Sequence, residues 1–207
     1  FRHAIAEPLG VDFWIGLPES EEARVAWLVG GLADPALQEE AVKELLDQFI
    51  GPETELGRAL FSPSYVLSAP DVWNSRAMHA AEVPAANGIG DARGIARMYS
   101  ACISDVDGFR ILNDAQLKRA TTQATTGPNT VLLGMDIQFG MGFMVRSELI
   151  PIAGPRSFGH FGAGGSMGWA DPDSGLAFGY VMNRMDMGLA GDARSSNLVN
   201  ACIAAIG

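Results

Sequence analysis

Apolar and polar positions follow two different periods along this chain, helical in its first half and strand-like in its second. Over 37–49, Leu37, Ala41, Val42, Leu45, Leu46 and Phe49 recur at helical spacing. Asp34 suits the N-cap of that helix and Pro35 its first position, where a missing N–H costs nothing, while Gly51 closes it. An earlier stripe of Val25, Leu28, Val29 and Leu32 predicts a helix over 21–32. From 51 to 90 the periodicity fades, and Pro52, Pro63, Pro70 and Pro84 divide the stretch into loops and short turns. So long a loop is usually functional or draped over other structure. Asp91 opens a further helix with Ile95, Met98, Tyr99, Cys102, Ile103 and Val106 facing inward, and Asn113 or Asp114 starts a shorter one through Leu117.

Strand character then takes over. Residues 137–145 alternate large apolar side chains with glycine, as in Phe139-Gly140-Met141-Gly142-Phe143. Segments 166–170 and 176–182 flank Asp171-Pro172-Asp173-Ser174-Gly175, whose turn chemistry predicts a β-hairpin. A closing helix over 195–206 carries Leu198, Val199, Cys202, Ile203 and Ile206 as its core stripe. Helices first, then a meander, then a last helix is an α+β order rather than alternating βαβ units.

Composition narrows the possibilities. The 207 residues are 48% hydrophobic and 18% charged, with a net charge of −10. A chain this long buries about 70% of the surface its unfolded form exposes and needs no disulfide or metal staple. The acidic balance argues against nucleic acid as a partner, because that affinity rests on Lys and Arg releasing counterions. Cys102 and Cys202 sit in apolar helical patterns and read as small core residues. There is no Cys-x-x-Cys, the three His are dispersed, and so no metal-ligand spacing appears. The longest apolar runs fall well short of the ~18 residues that span a bilayer.

The densest candidate chemistry is Phe158-Gly159-His160-Phe161-Gly162-Ala163-Gly164-Gly165-Ser166-Met167-Gly168. Gly164-x-Ser166-x-Gly168 matches the nucleophile elbow of α/β-hydrolases. Its context does not: the elbow needs strand–turn–helix with the His downstream, whereas His3, His79 and His160 all precede Ser166. Consecutive glycines in a strand mark instead a bulge, a bend packed under a helix, or a place where a ligand approaches the backbone.

Residues 157–185, SFGHFGAGGSMGWADPDSGLAFGYVMNRM, resemble the third-motif strand and hairpin of serine β-lactamase-like proteins, especially the family VIII esterases and their class C β-lactamase relatives. Glu7-Pro8-Leu9-Gly10-Val11-Asp12-Phe13 resembles the stretch after that family's second motif. Pro84-Ala85-Ala86-Asn87-Gly88, leading into Ala92-Arg93-Gly94-Ile95-Ala96-Arg97, resembles the start of its cleft-lining helix. The resemblance implies the C-terminal part of a β-lactamase/transpeptidase-like fold. Residues 1–136 would form a mainly helical region, and residues 137–207 antiparallel strands with the last helix. It also implies a hydrolase working through an acyl-enzyme without metal or organic cofactor. His160-Phe161-Gly162 would stand at the Lys-Thr-Gly position, and the Ala163 N–H would be the strand's oxyanion donor. Gly162, Gly164 and Gly165 would keep side chains away from the acyl group and Phe161 would suit that group. His160 would hydrogen-bond a catalytic Tyr or the substrate, and Asn87 would either cap the following helix or reach into the cleft.

Two parts of that family's site are absent. Glu40 stands three before Lys43 and Ala115 three before Lys118, so no Ser-x-x-Lys occurs. Tyr65, Tyr99 and Tyr180 are followed two residues later by Leu67, Ala101 and Met182, so no Tyr-x-Asn or Tyr-x-Ser occurs either. The expectation is that an upstream part of the same protein holds the Ser, Lys and Tyr, that Phe1 is a cut end, and that apolar surface lies exposed where that part would pack. Because His replaces Lys, a small acyl ester is the expected substrate. A β-lactamase or peptidase acting on amides, and a non-catalytic binding module of the same fold, are the alternatives.

Overall fold

The computed structural model describes residues 1–31, 39–61, 72–186 and 192–206. Asp34, Pro35, Leu37, Leu32, Pro63 and Pro70 lie outside the described residues. In chain order the helices are α1 (Glu7–Leu9), α2 (Glu40–Ile50), α3 (Glu55–Phe61), α4 (Arg76–Ala80), α5 (Ala92–Ile103), α6 (Asp114–Thr121) and α7 (Ala193–Ile206). The strands are β1 (Phe13–Trp14), β2 (Val29–Gly30), β3 (Ile89–Gly90), β4 (Met144–Val145), β5 (Phe158–Phe161), β6 (Met167–Asp171), β7 (Leu176–Tyr180) and β8 (Arg184–Met185).

The centre is a four-stranded antiparallel sheet in the order β4-β5-β6-β7. Its β6–β7 turn forms where the sequence expects it. Asp171 is buried and accepts from the Asp173 N–H and the Ser174 hydroxyl, while Gly175 takes the left-handed φ of 72° that the turn needs. The sheet is covered on two sides. On one face α5 lies over Gly168 and Gly179, which are cross-strand partners. A Cβ on Gly168 would stand 2.1 Å from Tyr99 Cε2, and one on Gly179 2.3 Å from the Ala92 carbonyl oxygen. On the other face Met144, Phe161, Met167 and Trp169 pack with Ile137, Ile150, Ile152 and Val199 of α7. The fold is α+β, and α5 shares its core with the strands.

The α5 and α6 starts are as expected. Asp91 accepts from the Gly94 N–H at 2.7 Å, and Asn113 with Gln116 forms a reciprocal capping box. Four expectations need correction. Residues 19–24 form a 3-10 turn rather than an α-helix, and the chain then extends into β2, which pairs in parallel with β8. The Asn74 side chain binds both the N–H and C=O of Leu28, at 2.8 and 2.9 Å, as a neighbouring strand would. Within 51–90, short helices α3 and α4 form, the latter capped by Ser75. Within 137–145 only Met144–Val145 is strand, because Gly140 lies against the Ala120 carbonyl and Gly142 turns at φ 93°. Of the apolar stripes, Leu45 and Phe49 on α2 and Leu198 and Ile206 on α7 are exposed rather than buried.

Candidate active site

Strand β5 carries two of the candidate residues. Its side chains alternate, so His160 is exposed on the face that carries α5 while Phe161 turns to the opposite face. His160 Nδ1 faces the Phe161 carbonyl, and its ring lies 6.2 Å from Phe139. Phe161 is buried and stacks on Trp169 at 5.6 Å. It is a core residue, which corrects its expected place beside an acyl group.

After β5 the chain makes a tight turn through Gly162, Ala163, Gly164 and Gly165 before entering β6. The Gly162 N–H donates to the Ser166 carbonyl at 2.7 Å, and the Gly165 N–H donates to the Gly162 carbonyl at 3.1 Å. Because the peptide unit is planar and trans, its C=O and N–H point in opposite directions. The Gly162 carbonyl points into the turn, so the Ala163 N–H, in the same peptide plane, points out of it. Ala163 itself is exposed, and an N–H on the first residue of a helical turn has no partner within that turn.

The glycines have internal reasons. A Cβ on Gly162 would lie 2.1 Å from Ser166 Oγ, and one on Gly164 within 2.9 Å of the Met185 side chain. Gly164 is buried, with φ 84°, and its carbonyl accepts from the Asp186 N–H and from Arg194, each at 3.0 Å. Packing against Met185 therefore accounts for this glycine without a ligand. Asn87 also departs from expectation: its amide donates to the Met78 and Ala81 carbonyls, its oxygen accepts from the Val83 N–H, and it is buried. It stitches the 78–87 loop, while Asp91 caps α5. Ser166 lies in a β5–turn–β6 hairpin with no helix following, so the nucleophile-elbow reading fails.

Two residues that sequence reasoning passed over stand behind the turn. Asp192 has a side chain only 6% exposed, and its Oδ2 accepts from both Nε and Nη2 of Arg194. Its other oxygen accepts from the backbone N–H of Arg194 and Ser195 at the start of α7. The hydrogen bonds from Arg194 hold the Asp192 carboxyl below its usual range. Asp192 immediately precedes α7 and caps it, and an Asp just ahead of an apolar helical stripe was the available signal, missed because the helix was expected to start at 195 rather than at Ala193. Burial pushes the Tyr99 phenol up, so it stays protonated at neutral pH, and pushes the Cys102 thiol up to about 11. Neither is suited to act as a base or nucleophile. Among the described residues no three His, Cys, Asp or Glu side chains converge as metal ligands do, and no helix is long and apolar enough to cross a membrane.

Residues 1–201 match the family described as Beta-lactamase. The chain is 33% identical over 192 residues to the esterase/beta-lactamase LipL of Mycobacterium tuberculosis, covering 89% of this chain and 42% of LipL. Among solved structures it is similar to EstA from Arthrobacter nitroguajacolicus Rue61a, with a TM-score of 0.79 and 28% identity over 99% of this chain and 52% of EstA. A penicillin-binding protein homolog from Caulobacter crescentus gives 0.74 and 33%, over 98% of this chain and 51% of that one. A family VIII carboxylesterase gives 0.75 and 30%, over 99% and 50%. The chain thus spans about half the length of these relatives. With residues 1–201 inside the family match, this chain belongs to the beta-lactamase family.

Proposed function

We propose that the protein carrying this chain is a serine hydrolase that cleaves small acyl esters through an acyl-enzyme, and that this chain supplies one wall of its active site. The observation that carries the proposal is the turn after β5, where the hydrogen bond to the Gly162 carbonyl turns the Ala163 N–H outward from an exposed residue. An N–H held in that way is what an oxyanion hole requires, since a donor fixed before reaction needs no reorganisation as charge develops. Removing one such donor typically raises the barrier by about 3–4 kcal/mol.

His160 stands on the same strand, exposed, two residues before Gly162. In this reading it hydrogen-bonds a polar group of the substrate or a catalytic Tyr. An imidazole is often uncharged at neutral pH, whereas Lys carries a fixed charge that favours carboxylate-bearing substrates such as β-lactams. This supports an ester substrate, as do the names of LipL, EstA and the family VIII carboxylesterase. The nucleophilic Ser, the Lys that takes its proton and the Tyr are assigned to a part of the protein outside these 207 residues. The exposed Leu45, Phe49, Leu198 and Ile206 are the kind of surface that such a part would cover.

The test uses the full-length protein. A short-chain nitrophenyl ester should be hydrolysed, and a fluorophosphonate should label one serine outside this chain. Label on Ser166 would overturn the assignment. Neither turnover nor label would favour the binding module, and turnover of a β-lactam but no ester would move the substrate class to amides.

A further inference from the structure

A charged pair sits at the far end of the hydrogen bonds that shape the proposed oxyanion turn. The Arg194 guanidinium is held by Asp192 and donates through Nη2 to the Gly164 carbonyl at 3.0 Å and through Nη1 to the Arg184 carbonyl at 2.8 Å. Gly164 C=O and Gly165 N–H belong to one peptide plane, and that N–H donates to the Gly162 carbonyl at 3.1 Å. Gly162 C=O and Ala163 N–H belong to the next plane. A continuous series therefore runs from Asp192 through the guanidinium and two peptide units to the Ala163 N–H. Each peptide in such a series polarises its neighbour, and a cation at the carbonyl end makes every following N–H a stronger donor. Space confirms how tightly the pair is fitted: a Cβ on Gly165 would lie 1.9 Å from Asp192 Oδ2 and 2.9 Å from Arg194 Nη2. The Asp186 N–H, donating to the same Gly164 carbonyl at 3.0 Å, fixes that plane from a second side.

We infer that Arg194, anchored by Asp192, is a positioning residue for ester hydrolysis: through the Gly164–Gly165 and Gly162–Ala163 peptides it orients and polarises the Ala163 N–H toward the oxyanion. This rests on the proposed function of the turn. It goes further by placing control of that donor on the N-terminus of α7, on the side of the turn away from the substrate. Arg194 needs no contact with substrate for this role. Its effect falls on the step in which charge develops, and binding of the neutral ester is left nearly unchanged.

The experiment compares R194M, R194Q, R194K and D192N in the full-length protein. For a short-chain nitrophenyl ester, R194M should lower kcat about 10- to 100-fold, less than the 10²–10³ of removing an oxyanion donor outright, with KM within about threefold. R194K keeps the charge and should recover most of kcat; R194Q keeps a donor without charge and should stay near R194M. D192N retains an acceptor for α7 while freeing the guanidinium, and should lie between wild type and R194M, which covers a failure of the larger change to fold. The amide protons report the series without activity. In R194M, the Gly165 and Asp186 amides should exchange at least tenfold faster. The Ala163 amide proton should move upfield in R194M and R194Q but not in R194K. Unchanged kcat in R194M, unchanged exchange at Gly165, or equal Ala163 shifts in R194K and R194Q would each overturn the inference. Wild-type protein that neither turns over ester nor takes a fluorophosphonate label would overturn the proposed function instead, and the amide readouts would still decide whether Arg194 sets the turn.

Discussion

The two faces of the central sheet are built in opposite ways. Under α5 the strands offer Gly168, Gly179, Ala170 and Ala177, so the helix backbone comes down almost onto the sheet. Under α7 they offer Phe161, Met167, Trp169 and Phe178, and the gap is filled by side chains. Where α5 crosses β6 and β7 the contact is set by atoms that are missing, while Phe158 on β5 fills the rest of that face, and the α7 face is set by atoms that are present. The first should be intolerant of additions and the second of deletions. The proposed site lies on the strand where the two faces are shared out, since β5 sends His160 to the first face and the core residue Phe161 to the second.

The strongest way to break this contrast is deletion on the filled face. Trp169, 1% exposed, packs against Gly159 and Phe161. Trp169→Ala should lose about 3–5 kcal/mol by denaturant unfolding, from transfer and cavity terms together. A smaller loss is expected from addition on the bare face. The Cβ of Gly179→Ala would meet the Ala92 carbonyl and the Ala96 nitrogen, backbone atoms that cannot swing aside, and should cost about 1–3 kcal/mol. Gly175→Ala separates space from conformation. Nothing lies within 4 Å of its Cβ position, yet φ is +72°, so a loss of about 1 kcal/mol should come from backbone strain alone. A loss at Gly179 no larger than at Gly175 would mean that α5 is free to lift, and the contrast between the faces would fail.

The same two sides should differ in pH response, with smaller effects. The Asp192 carboxyl, behind the turn and against α7, has a lowered folded-state pKa. Its stabilisation is present above the unfolded value near 3.9 and is lost as pH falls through the folded one. Asp192→Asn should flatten the acid limb of a stability–pH curve. On the α5 face Tyr99 and Cys102 are raised, the thiol to about 11. Burial keeps them neutral while the unfolded chain ionises above its ordinary thiol and phenol values. Stability should therefore fall as pH rises from about 9 upward. Tyr99→Phe with Cys102→Ala should flatten that alkaline limb and leave the acid limb unchanged.

Much of this was legible from local signals, and the failures share a cause. Asp91, Asn113 and the Asp171–Gly175 turn act on neighbours within a few residues, so the starts of α5 and α6 and the β6–β7 hairpin follow from the chain alone. Strand β2 does not, because its partners are Arg184 and Met185, and the Asn74 side chain holds the preceding Leu28, all distant in sequence. Phe161 was misassigned by parity: a one-residue step on a strand reverses the face, and motif position carries no information about which face is core. Asn87 was misread because its partners, Met78, Ala81 and Val83, lie in a loop whose path shows no periodicity.

By itself the sequence determined the α+β order, the capped helices, the hairpin and the family resemblance, because each rests on short-range chemistry or on a motif held in consecutive residues. Only the tertiary structure decided which glycines serve packing, which side of β5 is buried, and that Asp192 and Arg194 reach the Gly162–Gly165 turn. Arg194 and Gly164 are 30 residues apart, and Gly168 with Tyr99 and Gly179 with Ala92 farther still, and no local preference encodes a contact whose two halves meet only after the sheet has formed.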